Sequence, residues 1–227
     1  HSTLDGRGDP QKPVRLVGIA PNGSLNWEVD RTGEPGAKFY DTDVLDNGDL
    51  LVTLAVANGT EVYRYDPQTG ERVWEEQFDI VDTHDVDLIN DDELLVANIL
   101  NDTPDGNGDG IFIYNRSEDR ITWHWYFRNH FSNSTAGGIS HDWTHVNDID
   151  KIDEGQFMAS PRNFDQVVAI NRSTKEVDWR LGADDDYDVM FEQHNPQYLE
   201  TADGNRAVLI ADSLNDRVVE YTYLNGS

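Results

Sequence analysis

The residues Thr144 to Asn163 hold an imidazole, an amide and a guanidinium at spacings that suit the binding of an anionic oxygen cluster. Alternation of Val146, Asp148 and Asp150 with Ile149 and Ile152 meets a turn at Asp153-Glu154-Gly155, and an apolar run follows, which is the pattern of a β-hairpin. Folding about that turn sets His145 opposite Arg162, with Asn147 two residues along and on the face of His145. Such a trio suits a sulfate or a phosphate. The spacing then recurs. His84 stands three residues before Asp87, Asn147 three before Asp150, His194 three before Gln197 and Tyr40 three before Asp43. Three histidines at one place could also hold zinc or copper, but Arg162 in the same cluster favours an anion over a cation, and no metal is expected there.

The elements that position these residues repeat along the chain. Each repeat opens with a polar strand start, a turn and an apolar strand, as in Asp43 to Val52 and Asp87 to Val96. A second hairpin follows whose last strand carries Trp27, Trp74, Trp123 or Trp179, at spacings of 47, 49 and 56 residues. Four short strands per unit at that period predict an all-β fold, a β-propeller of four-stranded antiparallel blades, with each Trp packed between neighbours. Three whole blades are expected at 39–78, 84–126 and 145–180. A fourth from 194 lacks its outermost strand, and the outer half of a blade opens the domain, about 4.5 blades in all. Residues 1–13 read as an irregular lead-in and 14–227 as the propeller domain, with at least one further blade expected after Ser227. First strands line the channel of a propeller, so Tyr40, His84, Asn147 and His194 should converge at one mouth, joined by His145. The ends of the second strands bring Arg162, Asn98 and Asp212 to the same mouth. The connections 100–110 and 127–143 are candidate surface features or a lid.

The net charge of −27, from 44 acidic and 17 basic residues, repels nucleic acid and anionic membranes. With 37% hydrophobic residues and six Trp the chain is not a disordered acid. An Asp-rich, Lys-poor surface on a folded core points to work at high salt, where self-repulsion is screened. There is no Cys. Asn22, Asn58, Asn101, Asn115, Asn133, Asn171 and Asn225 each open an Asn-x-Ser/Thr acceptor, against about two by chance, which points to an exported glycoprotein. No signal peptide or membrane span appears, so any anchor or assembly segment is expected outside these residues. Asp105, Asn107 and Asp109 match the opening of a calcium loop, but Arg116 stands at its twelfth position, so the match is weak.

The runs Thr83-His84-Asp85-Val86-Asp87, His145-Val146-Asn147, Ser160-Pro161-Arg162-Asn163-Phe164, Val177 to Gly182 and Gln193-His194-Asn195-Pro196-Gln197 resemble the arylsulfotransferase family, in a haloarchaeal form. The resemblance spans residues 39 to 223. It implies a six-bladed propeller that moves a sulfuryl group from an aryl sulfate to a phenol, without a nucleotide sulfate donor, cofactor or metal. His194 would then be the nucleophile, passing through a sulfohistidine, and His84, His145, Asn147 and Arg162 would hold the sulfuryl and leaving oxygens. The family also uses a basic residue from a later blade. Two other readings stand beside this one: a non-catalytic cell-surface glycoprotein whose propeller binds or forms a lattice, and a metal- or quinone-dependent propeller enzyme.

Overall fold

Second strands of the repeats are mostly apolar and buried, as in Leu50–Val56, the pattern of a strand covered on both faces. Last strands alternate exposed with half-buried residues, as in Glu71–Phe78, because they form sheet edges. A computed structural model describes residues 12–99 and 108–223. It forms two compact units, residues 1–86 and 87–227, of which the described residues are treated in turn.

The first unit holds a two-stranded hairpin, β1 (Arg15–Ile19) and β2 (Leu25–Asp30), and one complete sheet. That sheet is β3 (Lys38–Val44), β4 (Leu50–Val56), β5 (Gly59–Asp66) and β6 (Glu71–Phe78), all antiparallel in chain order. Trp27 of β2 packs on Tyr65 of β5 at 5.7 Å, against Leu16, Phe39, Val52 and Leu54. The indole lies across Gly18, where a Cβ would fall 2.3 Å from its ring.

The second unit carries three sheets, two of four strands and one of three. One is β7 (Val86–Leu88, starting at the boundary), β8 (Glu93–Asn98), β9 (Gly110–Asn115) and β10 (Arg120–Tyr126). The next is β11 (Val146–Asp153), β12 (Gln156–Pro161), β13 (Gln166–Asn171) and β14 (Val177–Gly182). The last has three strands, β15 (His194–Glu200), β16 (Arg206–Asp212) and β17 (Arg217–Thr222). Every sheet is a meander, which is the topology of a propeller blade. The Trp repeat works as the sequence implies. Trp123 meets Phe157 edge-on at 5.5 Å and donates its N–H to the Arg172 carbonyl in the turn of the following sheet, while Trp125 donates to the Lys175 carbonyl. The expected blade boundaries hold to within about two residues.

The connection 127–143 is not a lid. It folds into two 3-10 turns, Phe127–Asn129 and Thr135–Gly137, and contributes Phe127, Phe131 and Trp143 to the core around Phe164. Trp143 meets Phe164 at 5.0 Å and donates its N–H to the Thr135 carbonyl. Burial of these aromatic side chains, and not the length of the connection, decides how it packs. Trp143→Ala should therefore cost about 3–5 kcal/mol in denaturant-induced unfolding, with Trp143→Phe losing less.

Of the lead-in, residues 1–11 lie outside the described part, as do Asn101, Asn225, Asp105 and Asn107. Asn22, Asn58 and Asn133 are exposed in turns, and Asn115 and Asn171 are half-buried at strand ends. Among the described residues no helix is long and apolar enough to cross a membrane.

Candidate functional site

Non-glycine residues with left-handed backbone recur at one place in the repeat: Asp82 (φ 67°), His145 (φ 46°) and Glu192 (φ 47°). Each lies two residues before His84, Asn147 or His194, so the local backbone repeats the alignment that the sequence spacing predicts. Such φ values carry a cost that surrounding contacts must offset. At Glu192 the Asp165 carboxylate accepts its N–H at 2.9 Å, and Asp212 accepts the preceding Phe191 N–H at 2.7 Å. At His145 the carbonyl accepts the Arg162 N–H at 3.3 Å, and the Thr144 carbonyl accepts the Asn163 N–H at 3.0 Å.

In the second unit three predicted residues come together where first strands begin and second strands end. His194 opens β15, Arg162 opens the 3-10 turn that follows β12, and His145 precedes β11. His194 Nδ1 lies 3.0 Å from the Glu192 carbonyl and 2.8 Å from the Ser213 hydroxyl. A carbonyl only accepts, so Nδ1 carries the proton and Nε2 keeps its lone pair. Burial pushes the His194 pKa below its ordinary value, and the nearby charges of Arg162 and His145 push it further, against the pull of the Glu192 carbonyl. The ring therefore stays neutral.

Arg162 donates through Nε and a terminal nitrogen to the Asn163 side-chain oxygen at 3.1 and 2.9 Å, and its Nε stands 3.7 Å from the Glu192 carboxylate. Asn163 in turn donates to the Asp142 carbonyl at 2.8 Å. The Asp142 carboxylate meets His145 Nδ1 at 2.7 Å. Burial opposes ionisation of Asp142, but the His145 hydrogen bond and the charges of His145, Arg162 and His141 outweigh it and hold the carboxyl below its usual range.

Asn147 departs from the expected face. The register shifts between Val146 and Ile149, so strict alternation fails, and the buried Asn147 amide donates to the Gln193 carbonyl at 2.7 Å. It braces the residue before His194. Gln193 is itself fully buried and donates to the Ser160 hydroxyl and the Gln166 carbonyl. Asn98 is half-buried and ends β8, paired with Gly110. Tyr40 and His84 belong to the first unit. Their rings stack at 4.2 Å, and the Tyr40 hydroxyl donates to Asp82. Sequence reasoning passed over Asp142, Asn163, Glu192, Gln193 and Ser213 as site residues. Asp142 stands three residues before His145, a spacing that could have flagged it.

Asp109, one of the three calcium candidates, is buried and engaged elsewhere: its carboxyl oxygens accept the Thr144 N–H at 3.1 Å and the Thr144 hydroxyl. Burial raises its pKa to about 7, helped by the charge of Asp142 and opposed by the Thr144 bonds. A raised carboxyl pKa means that stability present below about pH 4 is lost as pH rises through about 7. Asp109→Asn keeps an acceptor and does not titrate. Its unfolding free energy should therefore rise relative to wild type between pH 4 and 8, by at most about 4 kcal/mol. A flat difference across that range would contradict the account.

A cavity of about 590 Å³ lies elsewhere, lined by Trp179, Tyr198, Arg206 and Tyr221 among others. It borders β17, the edge that carries no fourth strand, and contains none of the candidate residues.

The fold is that of the β-propellers. The chain is similar to a protein of unknown function from Bacteroides caccae (13% identity, TM-score 0.62, covering 90% of this chain and 69% of that one). It is similar to the Cps50 (Swd1) β-propeller domain of Myceliophteria thermophila (14%, 0.56, 94% and 62%) and to Saccharomyces cerevisiae Sqt1 (12%, 0.56, 93% and 53%). It thus spans about half to two thirds of the length of these structures. No curated protein matches the sequence. The chain belongs to the arylsulfotransferase (ASST) family, whose model matches residues 13–207.

Proposed function

We infer that the protein moves a sulfuryl group from an aryl sulfate to a phenol through a covalent intermediate on His194. The observation that carries this is the state of His194, a half-buried imidazole whose Nδ1–H is committed to the Glu192 carbonyl while Arg162 lies close by. A neutral imidazole with Nε2 free is a nucleophile near pH 7. Sulfuryl transfer spreads charge over the peripheral oxygens, as phosphoryl transfer does, so positioning and a bidentate cation supply most of the catalysis. Arg162 is that cation. On this reading Asn147 acts through the backbone beside His194, His84 is assigned to the substrate from the family resemblance, and Tyr40 and Asn98 are assigned to it from their places in the repeat. No cofactor or metal has a part in this reaction.

The acceptors at Asn22, Asn58 and Asn133 and the net charge of −27 support an exported, glycosylated protein working at high salt. Incubation of the protein at high salt with one aryl sulfate and a second phenol tests the activity. The expected result is transfer with ping-pong kinetics, giving parallel double-reciprocal lines. Intersecting lines, or no transfer, would contradict it.

A further inference from the structure

His145 faces a carboxylate that the sulfuryl-transfer reading does not use. Asp142 Oδ2 lies 2.7 Å from His145 Nδ1. The carboxylate is held in place from both sides along the chain. Trp143, which follows it, is buried and bonded to the Thr135 carbonyl, and the Asp142 carbonyl accepts from Asn163. Asn163 simultaneously takes both nitrogens of Arg162, so the anion-binding guanidinium and the Asp142–His145 pair form one assembly. His145 itself has left-handed backbone, and its carbonyl is tied to the Arg162 N–H. The two imidazoles thus differ in what holds Nδ1: a neutral carbonyl at His194, a carboxylate at His145.

We propose that Asp142 is a positioning residue that makes His145 the proton shuttle of the site. This rests on the sulfuryl-transfer reading. Nδ1–H stays with Asp142, and proton exchange runs through Nε2. In the first half-reaction the S–O(aryl) bond breaks with its electrons on the phenolate oxygen, while the His194 Nε2–S bond forms. The His145 Nε2 proton passes to that oxygen. In the second half, Nε2 of His145 takes the proton of the acceptor phenol as its oxygen attacks sulfur, and the N–S bond breaks with its electrons returning to His194. Arg162, His141 and the titratable His194 also face this pair, so a change in overall pH profile would not isolate Asp142.

Leaving-group dependence does isolate it. A departing 4-nitrophenolate needs little help from an acid, whereas a plain phenolate needs much. In Asp142→Asn and Asp142→Ala, turnover of phenyl sulfate should fall about 100-fold, and that of 4-nitrophenyl sulfate less than about 5-fold. Equal losses for both donors, or none, would overturn the proposal. Nitrogen-15 NMR of histidine-labelled protein reads the pair without activity. When neutral, His145 should hold its proton on Nδ1 in wild type and shift it toward Nε2 in Asp142→Asn, where the amide can donate to Nδ1. An unchanged tautomer would also overturn it. Should the wild-type protein transfer nothing, the sulfuryl reading falls, and the NMR still decides whether Asp142 sets the state of His145.

Discussion

Replacing His194 with alanine should lower sulfuryl transfer by about 10⁴-fold or more while leaving the fold unchanged. The expected loss is this large because the covalent step runs through His194, while His145, whose Nδ1 faces Asp142, exchanges protons and carries no covalent bond. The side chain is half-buried at the first residue of β15, and the strand's pairing to β16 is made by backbone, so unfolding should change little. The pH dependence has a defined sign. Because the His194 pKa is lowered from 6.5, the nucleophile remains neutral to below that pH, and the acid limb of kcat/KM should lie under 6.5. Stability follows the same sign: the contribution of this buried neutral ring is present above about pH 6.5 and is lost as pH falls toward its folded value. An alanine variant with activity within tenfold of wild type would remove His194 from the chemistry.

Arg162→Ala should lower kcat/KM by about 10²- to 10³-fold, the scale of losing one preorganised donor to a developing anion. Arg162→Lys should recover little of it. Arg162 already holds the Asn163 amide oxygen through two of its nitrogens, and a planar guanidinium, unlike an ammonium, can bind an anion in the same plane as well. The loss should appear in binding of the anion as well. Inorganic sulfate should inhibit the wild type competitively with the aryl sulfate and should inhibit Arg162→Ala far more weakly. Equal inhibition of the two proteins would show that the anion sits elsewhere. Part of the Arg162 charge is already opposed by Glu192 at 3.7 Å, so the gain from the arginine is smaller than for an isolated cation.

Much of this was legible in the sequence. The strand pattern, the turns and the Trp spacing place the sheets within about two residues, because each is set by local alternation and turn chemistry. The alignment of Asn147 with His194 was also readable, and the left-handed residues at His145 and Glu192 support it in the backbone. Three things were not. Alternation put Asn147 on the face of His145, but the irregular register after Val146 turns its amide into the Gln193 carbonyl. Strand period says nothing about a residue before the strand, so Asp142, on a connection between sheets, passed unnoticed. The length of the connection 127–143 suggests a surface feature or a lid, whereas three of its aromatic side chains pack in the core. Long-range packing decided all three, and no local pattern carries it.

The most direct measurement of the central claim is the mass of the protein after exposure to an aryl sulfate alone, quenched at alkaline pH and followed by peptide mapping. The account predicts one added sulfuryl group, on the peptide containing His194, present after the donor and removed when a phenol is added. A protein that transfers sulfuryl groups yet never carries the adduct, or carries it on a residue other than His194, would contradict it.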